Sequence, residues 1–218
     1  KNVGKNFIKK INENYIRDKE MYKGVQGFHW DYVNTRKNLF TNSRLNNFLK
    51  NDLGYGLSRS NAKIDKKKLL NFILNSKISK NFLKKNLPQK NIGNFKNPLI
   101  FNKKYCNNND LFYIDWFLEI QKFIKKKTFK HICEIGGGYG GLARVLLNNF
   151  KCKYFLIDLP ETNILSAFYL KNFFPKKKFI FSQDLERGIT NEIIKKNDIF
   201  ILTPDKIDIL NIKFDFFI

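Results

Sequence analysis

His131-Ile132-Cys133-Glu134-Ile135-Gly136-Gly137-Gly138-Tyr139-Gly140-Gly141 is the stretch on which the fold turns. Its first five residues form a short apolar run broken by one carboxylate, which reads as a buried strand. Five glycines then fill six positions, and residues 142–150 (Leu-Ala-Arg-Val-Leu-Leu-Asn-Asn-Phe) continue as a helix. Glycine permits a tight strand-to-helix turn and lets a ligand lie against bare backbone. The free N–H groups at the helix start attract negative charge. Any tight turn of this kind uses glycine, but this density in this setting points to a ligand loop.

Working outward, the alternation repeats. Residues 154–158 (Tyr-Phe-Leu-Ile-Asp) read as a second strand and 162–174 as a second helix, ending before Pro175. Strands are expected at 179–182, 199–203 and 214–218, with a short helix at 191–196. Strands alternating with helices define an α/β fold, here a Rossmann-like, doubly wound parallel sheet over residues 110–218. Residues 1–109 read as a mainly helical region with a cap, acceptor-binding or oligomerisation role. Apolar residues recur there at helical spacing, as in Phe7, Ile8, Ile11, Tyr15 and Ile16, then Leu39, Phe40, Leu45, Phe48 and Leu49. Leu69 to Leu74 and then Phe82 and Leu83 suggest two more helices. Residues 87–109 read as a connecting loop, and Asp110 as the cap of a helix running through Trp116 to Lys127. The run Phe214-Asp215-Phe216-Phe217-Ile218 reads as a buried strand. Starting at Lys1 and stopping in that run, the chain reads as a fragment with its sheet truncated at the C-terminal side.

Of the 218 residues, 41 are Lys or Arg and 19 are Asp or Glu, a formal net charge of +22. Such charge suggests a polyanionic partner. The basic runs at 66–68, 84–85, 103–104, 125–127, 176–178 and 195–196 are nevertheless spread along the whole chain. No Arg-rich segment or RNA-binding aromatic motif accompanies them, so they read as solvated surface rather than a dedicated nucleic-acid groove. The abundance of Lys, Asn, Ile and Phe is what AT-rich coding would produce. Cys106, Cys133 and Cys152 have no metal-ligand spacing, so no metal is expected, and a reducing cytoplasm fits. No apolar run is long enough for a signal-peptide core or a membrane span.

Gly136, Gly138 and Gly141 satisfy the Gly-x-Gly-x-x-Gly dinucleotide fingerprint, so NAD is one candidate ligand. Glu134 favours S-adenosylmethionine instead. A carboxylate beside the loop repels a pyrophosphate but attracts an ammonium and a sulfonium. Position agrees, because a dinucleotide fold usually opens its domain and here a long segment precedes the strand. Asp158 ends the next strand, 22 residues after Gly136, where an acid accepts hydrogen bonds from ribose hydroxyls. That need is common to both ligands.

The segments Glu-Ile-Gly-Gly-Gly-Tyr-Gly-Gly-Leu-Ala-Arg (134–144) and Leu-Ile-Asp-Leu-Pro-Glu-Thr (156–162) resemble the class I S-adenosylmethionine-dependent methyltransferases. Within them the chain is most similar to bacterial sugar O-methyltransferases. The match covers about residues 110–218, with a looser likeness in Leu-Gly-Tyr-Gly at 53–56. The resemblance implies transfer of a methyl group to a hydroxyl of a small molecule, most readily a sugar or glycan. It places Glu134, Gly136 and Gly138 at the methionine end and Asp158 at the ribose, with Tyr139 covering the ligand. Gly137, Gly140 and Leu159 complete the expected cofactor-binding set. Asp184 and Asp205 each follow a candidate third strand, and either can meet the adenine edge. No catalytic residue is assigned. His131 reads as structural, while His29, among Phe28, Trp30 and Tyr32, is either packing or acceptor-pocket lining. An NAD-dependent oxidoreductase and a non-catalytic, polyanion-binding relative of the methyltransferase fold stay open.

Overall fold

Along β4 (Lys153–Ile157), Tyr154 and Leu156 enter one core and Phe155 and Ile157 another. The period-two alternation of a strand thus gives the sheet two buried faces. β6 (Ile199–Leu202) repeats the pattern, with Ile199 and Ile201 on the first face and Phe200 and Leu202 on the second.

The computed structural model describes residues 3–21, 41–50, 64–124, 128–185 and 188–218. The aromatic group around His29, the Leu39-Phe40 pair and the Leu-Gly-Tyr-Gly stretch lie outside them. Upstream are helices α1 (Lys5–Met21), α2 (Asn42–Asn46), α3 (Lys66–Asn75) and α4 (Lys80–Asn86). A hairpin of β1 (Leu99–Phe101) and β2 (Lys104–Cys106) and then α5 (Asn108–Phe123) follow. The α/β part comprises β3 (His131–Ile135), α6 (Gly141–Asn149), β4, α7 (Pro160–Phe173), β5 (Phe179–Phe181), α8 (Asn191–Lys196), β6 and β7 (Phe216–Phe217).

The five-stranded sheet has the order β5-β6-β4-β3-β7, and every pairing is parallel. Leu142, Leu146, Ile164 and Phe168 of α6 and α7 join the first-face core. Ile193 and Ile194 of α8, with Ile209 and Leu210, cover the second. From β3 the chain passes to β4 on one side and later returns as β7 on the other. This makes β3 the topological switch point, the position at which open α/β sheets generally bind their ligands. One buried cluster also takes in Ile8, Ile11, Leu45, Phe48 and Leu83 together with Leu146 and Phe168, so the core runs across the 109/110 boundary.

Local details depart from the sequence expectations. The stretch read as a loop contains the β1–β2 hairpin, turned through Asn102 (φ 47°) and Lys103 (φ 60°). Positive φ at both central positions is what a type I′ hairpin needs, but Asn-Lys is a weak signal beside Asn-Gly. Asn107, not Asp110, caps α5. Asn107 Oδ1 accepts from the Asp110 amide and Asp110 Oδ2 from the Asn107 amide, both at 3.0 Å, forming a capping box. β7 is not a buried strand. Among the described residues it borders only β3, and Phe217 is 58% exposed.

Candidate functional site

The glycine turn and Asp158 meet at the C-terminal ends of neighbouring strands. Register pairs Ile135 with Ile157, and the Gly136 amide donates to the Ile157 carbonyl at 2.9 Å. The chains leave the sheet together, and the Gly138 amide donates to Asp158 Oδ2 at 2.9 Å. Asp158 Oδ1 accepts from the Leu159 amide at 2.7 Å. Two backbone amides thus fix the orientation of the Asp158 carboxylate. Asn163 steadies the backbone beneath it, its Nδ2 donating at 2.8 Å to the carbonyls of both Asp158 and Leu202.

The glycines divide by cause. Gly136 has φ +71° and a Cβ there would meet nothing within 4 Å, so its backbone is open on that side. Gly138 also has positive φ, 56°. Gly137 is tight for a different reason: a Cβ would lie 2.8 Å from the Leu156 side chain and 3.0 Å from Glu134 Oε2. Gly140, at φ +87°, precedes α6 and closes on Leu170. Gly141 lets α5 approach, since a Cβ would fall 2.0 Å from the Tyr113 ring. Packing and backbone conformation therefore account for Gly137, Gly140 and Gly141 without a ligand. The residues left with open backbone are fewer than the glycine density suggests.

Glu134 lies beneath the turn, 5% exposed, on the face shared with Ile132 and Tyr154. Tyr154 donates its hydroxyl to Glu134 Oε2 at 2.7 Å. Burial pushes the Glu134 carboxyl up to about 7, the Tyr154 hydrogen bond draws it back, and the Asp158 charge raises it further. Tyr154 is a partner that sequence reading missed. Its signal was available: two strand positions before Leu156, which pairs with Glu134, it shares that face diagonally.

Tyr139, expected over the ligand, is buried instead. Its side chain is 1% exposed and packs edge-on against Tyr113 and Tyr169, with Phe48 beside them. A large apolar ring leaving a tight turn gains more from this cluster than from the solvent side. His131 sits edge-on to Phe155, its Nδ1 3.3 Å from the Lys213 carbonyl, a packing position. Asp184 and Asp205 are separated by the strand order. Asp205 follows β6, the immediate neighbour of β4, and Leu202 at the end of β6 accepts from the Asp158 amide at 3.0 Å. Asp184 follows the edge strand β5 and pairs with Lys10 of α1 at 2.9 Å.

Fold and site together define an α/β protein with an open parallel sheet and a glycine turn facing an acid at its switch point. Comparison with protein-family models, curated proteins and solved structures returned no match. Among the described residues, no helix is long and apolar enough to cross a membrane.

Proposed function

We propose that this chain carries the S-adenosylmethionine-binding part of a Rossmann-like methyltransferase acting on a hydroxyl of a small molecule or glycan. The observation that carries the reading is the pairing of two acids around one turn. Asp158 is held against Gly138, and the buried Glu134 lies under Gly137.

The residues fit such a donor. Gly136 leaves a bare backbone where an added Cβ would stand in open space, as close approach of a ligand requires. Asp158, oriented by two amides, accepts from ribose hydroxyls. Glu134 supplies a carboxylate in a low-dielectric setting, where attraction to an ammonium group is strongest and a pyrophosphate is disfavoured. On this reading Asp205, which follows the strand next to β4, is the acid that meets the adenine edge. Asp184 is a further strand away, and strands lie about 4.8 Å apart. The donor supplies an activated methyl group, and the chain's part is to align that group with the acceptor hydroxyl.

Isothermal titration of the 218-residue chain with S-adenosylhomocysteine, beside NADH and beside Asp158→Ala, tests this. Micromolar binding of S-adenosylhomocysteine that is lost in the variant supports the reading. A preference for NADH, or no binding by a chain shown to be folded, sinks it.

A further inference from the structure

A small polar space lies where α1 packs on the N-terminal half of α7, beside β5 and β6. Asn14 of α1 and Asn163 of α7 line it, together with Tyr15 and Asp18 and apolar walls that include Ile11 and Phe181. It admits the centre of a water molecule over about 10 Å³, which is room for a water and for no organic ligand.

Both asparagines are buried, Asn14 at 8% and Asn163 at 5% exposure, and each has a buried Oδ1 with no hydrogen-bond partner. The other end of each amide fixes its orientation. Asn14 Nδ2 donates to the Lys10 carbonyl at 2.8 Å. Asn163 Nδ2 donates at 2.8 Å to the carbonyls of both Asp158 and Leu202. Turning either amide over would set its oxygen against carbonyl oxygen, so in each the atom left over is an acceptor. A buried polar atom without a partner is costly. Two of them, on residues that line one space, call for a donor common to both.

We infer that this space binds a single buried water, which donates one hydrogen to Asn14 Oδ1 and the other to Asn163 Oδ1. The two hydrogens of a water match the two acceptors, and an apolar guest would leave both unmet. Cavities that stay dry are lined by apolar side chains, and this one is not. The water ties α1 to α7 at Asn163, the residue that steadies the backbone of Asp158. By this bridge α1 becomes part of the support of the glycine-turn site, rather than a helix that only packs on the sheet layer. The water site stands whether or not the glycine turn binds S-adenosylmethionine, because both acceptors belong to the protein's own packing.

The test is a crystal structure of the whole chain at a resolution that shows ordered waters. Beside it, magnetic relaxation of the water oxygen nucleus in solution counts the waters held for longer than the protein takes to tumble. An ordered water within hydrogen-bond distance of both Oδ1 atoms is the expected result. Asn14→Leu removes one acceptor and sets an apolar side chain against the space, so the count of long-lived waters should fall by one from the wild type. Should that variant not fold, the wild-type crystal structure decides by itself. No density between the two amides in a well-ordered map, or a water that touches only one Oδ1, would overturn the inference. So would an unchanged count in a folded Asn14→Leu, or a protein donor found on either Oδ1.

Discussion

Arg144 Nη2 lies 3.0 Å from Asp110 Oδ1, with side chains 0% and 2% exposed, joining the helix after the glycine turn to the helix before β3. Two charges out of water need each other, and removing one leaves the other uncompensated. Arg144→Met should therefore lower stability by about 3–5 kcal/mol. Combining it with Asp110→Asn should cost clearly less than the two single changes added together. Urea denaturation of the four proteins measures the coupling, and additive losses would refute it.

Two glycines of one turn should respond oppositely to alanine. Gly141→Ala drives a methyl into Tyr113, an overpacking that costs about 1–3 kcal/mol or more, and Tyr113→Ala should restore much of the loss. Gly136→Ala meets no atom but requires a left-handed backbone at φ +71°, a strain of about 1–2 kcal/mol. It should fold and yet bind S-adenosylhomocysteine poorly, because on the proposed reading the methyl would stand where the ligand lies. Thermal melts and titrations of both variants separate packing from binding. Unimpaired binding by Gly136→Ala would remove this glycine from the site.

Asp158 carries structure apart from any ligand. Asp158→Ala removes the acceptor of the Gly138 and Leu159 amides, so a stability loss of about 1–3 kcal/mol is expected in the absence of any ligand. Amide exchange at Gly138 should quicken. Unchanged exchange would mean that the hydrogen bond does not hold the turn.

Glu134 makes stability depend on pH in a stated direction. Its folded carboxyl, near 7, lies above its unfolded value near 4.5, so between them the folded state binds more protons. Its contribution is thus full below about pH 4.5 and is lost as pH rises toward 7. Burial also raises Asp18 to about 6 and Glu161 to about 7, and both act in the same sense. The difference between the wild type and Glu134→Gln isolates the one group. Urea midpoints from pH 5 to 8 should fall more steeply in the wild type, while parallel curves would place the titration elsewhere. If a cationic ligand sits beside Glu134, its binding should release protons near pH 7, seen as calorimetric heats that change with buffer.

Much of this was legible because it is local. Residues 131–158 read as strand, glycine turn, helix and strand from short-range periodicity, and Glu134 and Asp158 stood out as acids ending apolar runs. A parallel α/β sheet follows from that alternation alone. The hairpin at 99–106 escaped notice because its turn takes positive φ at Asn102 and Lys103 without a glycine to announce it.

The rest depended on which distant segments meet. Strand order separated Asp205 from Asp184, and nothing near either residue encodes it, since pairing is a property of the whole sheet. Tyr139 reads as a ligand cover until Phe48, Tyr113 and Tyr169 close around it. Gly141 stands in a nucleotide fingerprint, and only the fold shows that Tyr113 occupies the space its side chain would need. Sequence by itself determined the kind of backbone each segment prefers and where acids and glycines stand along it. Only the tertiary structure decided which of them face open space, because burial and close approach arise from residues far apart in the chain.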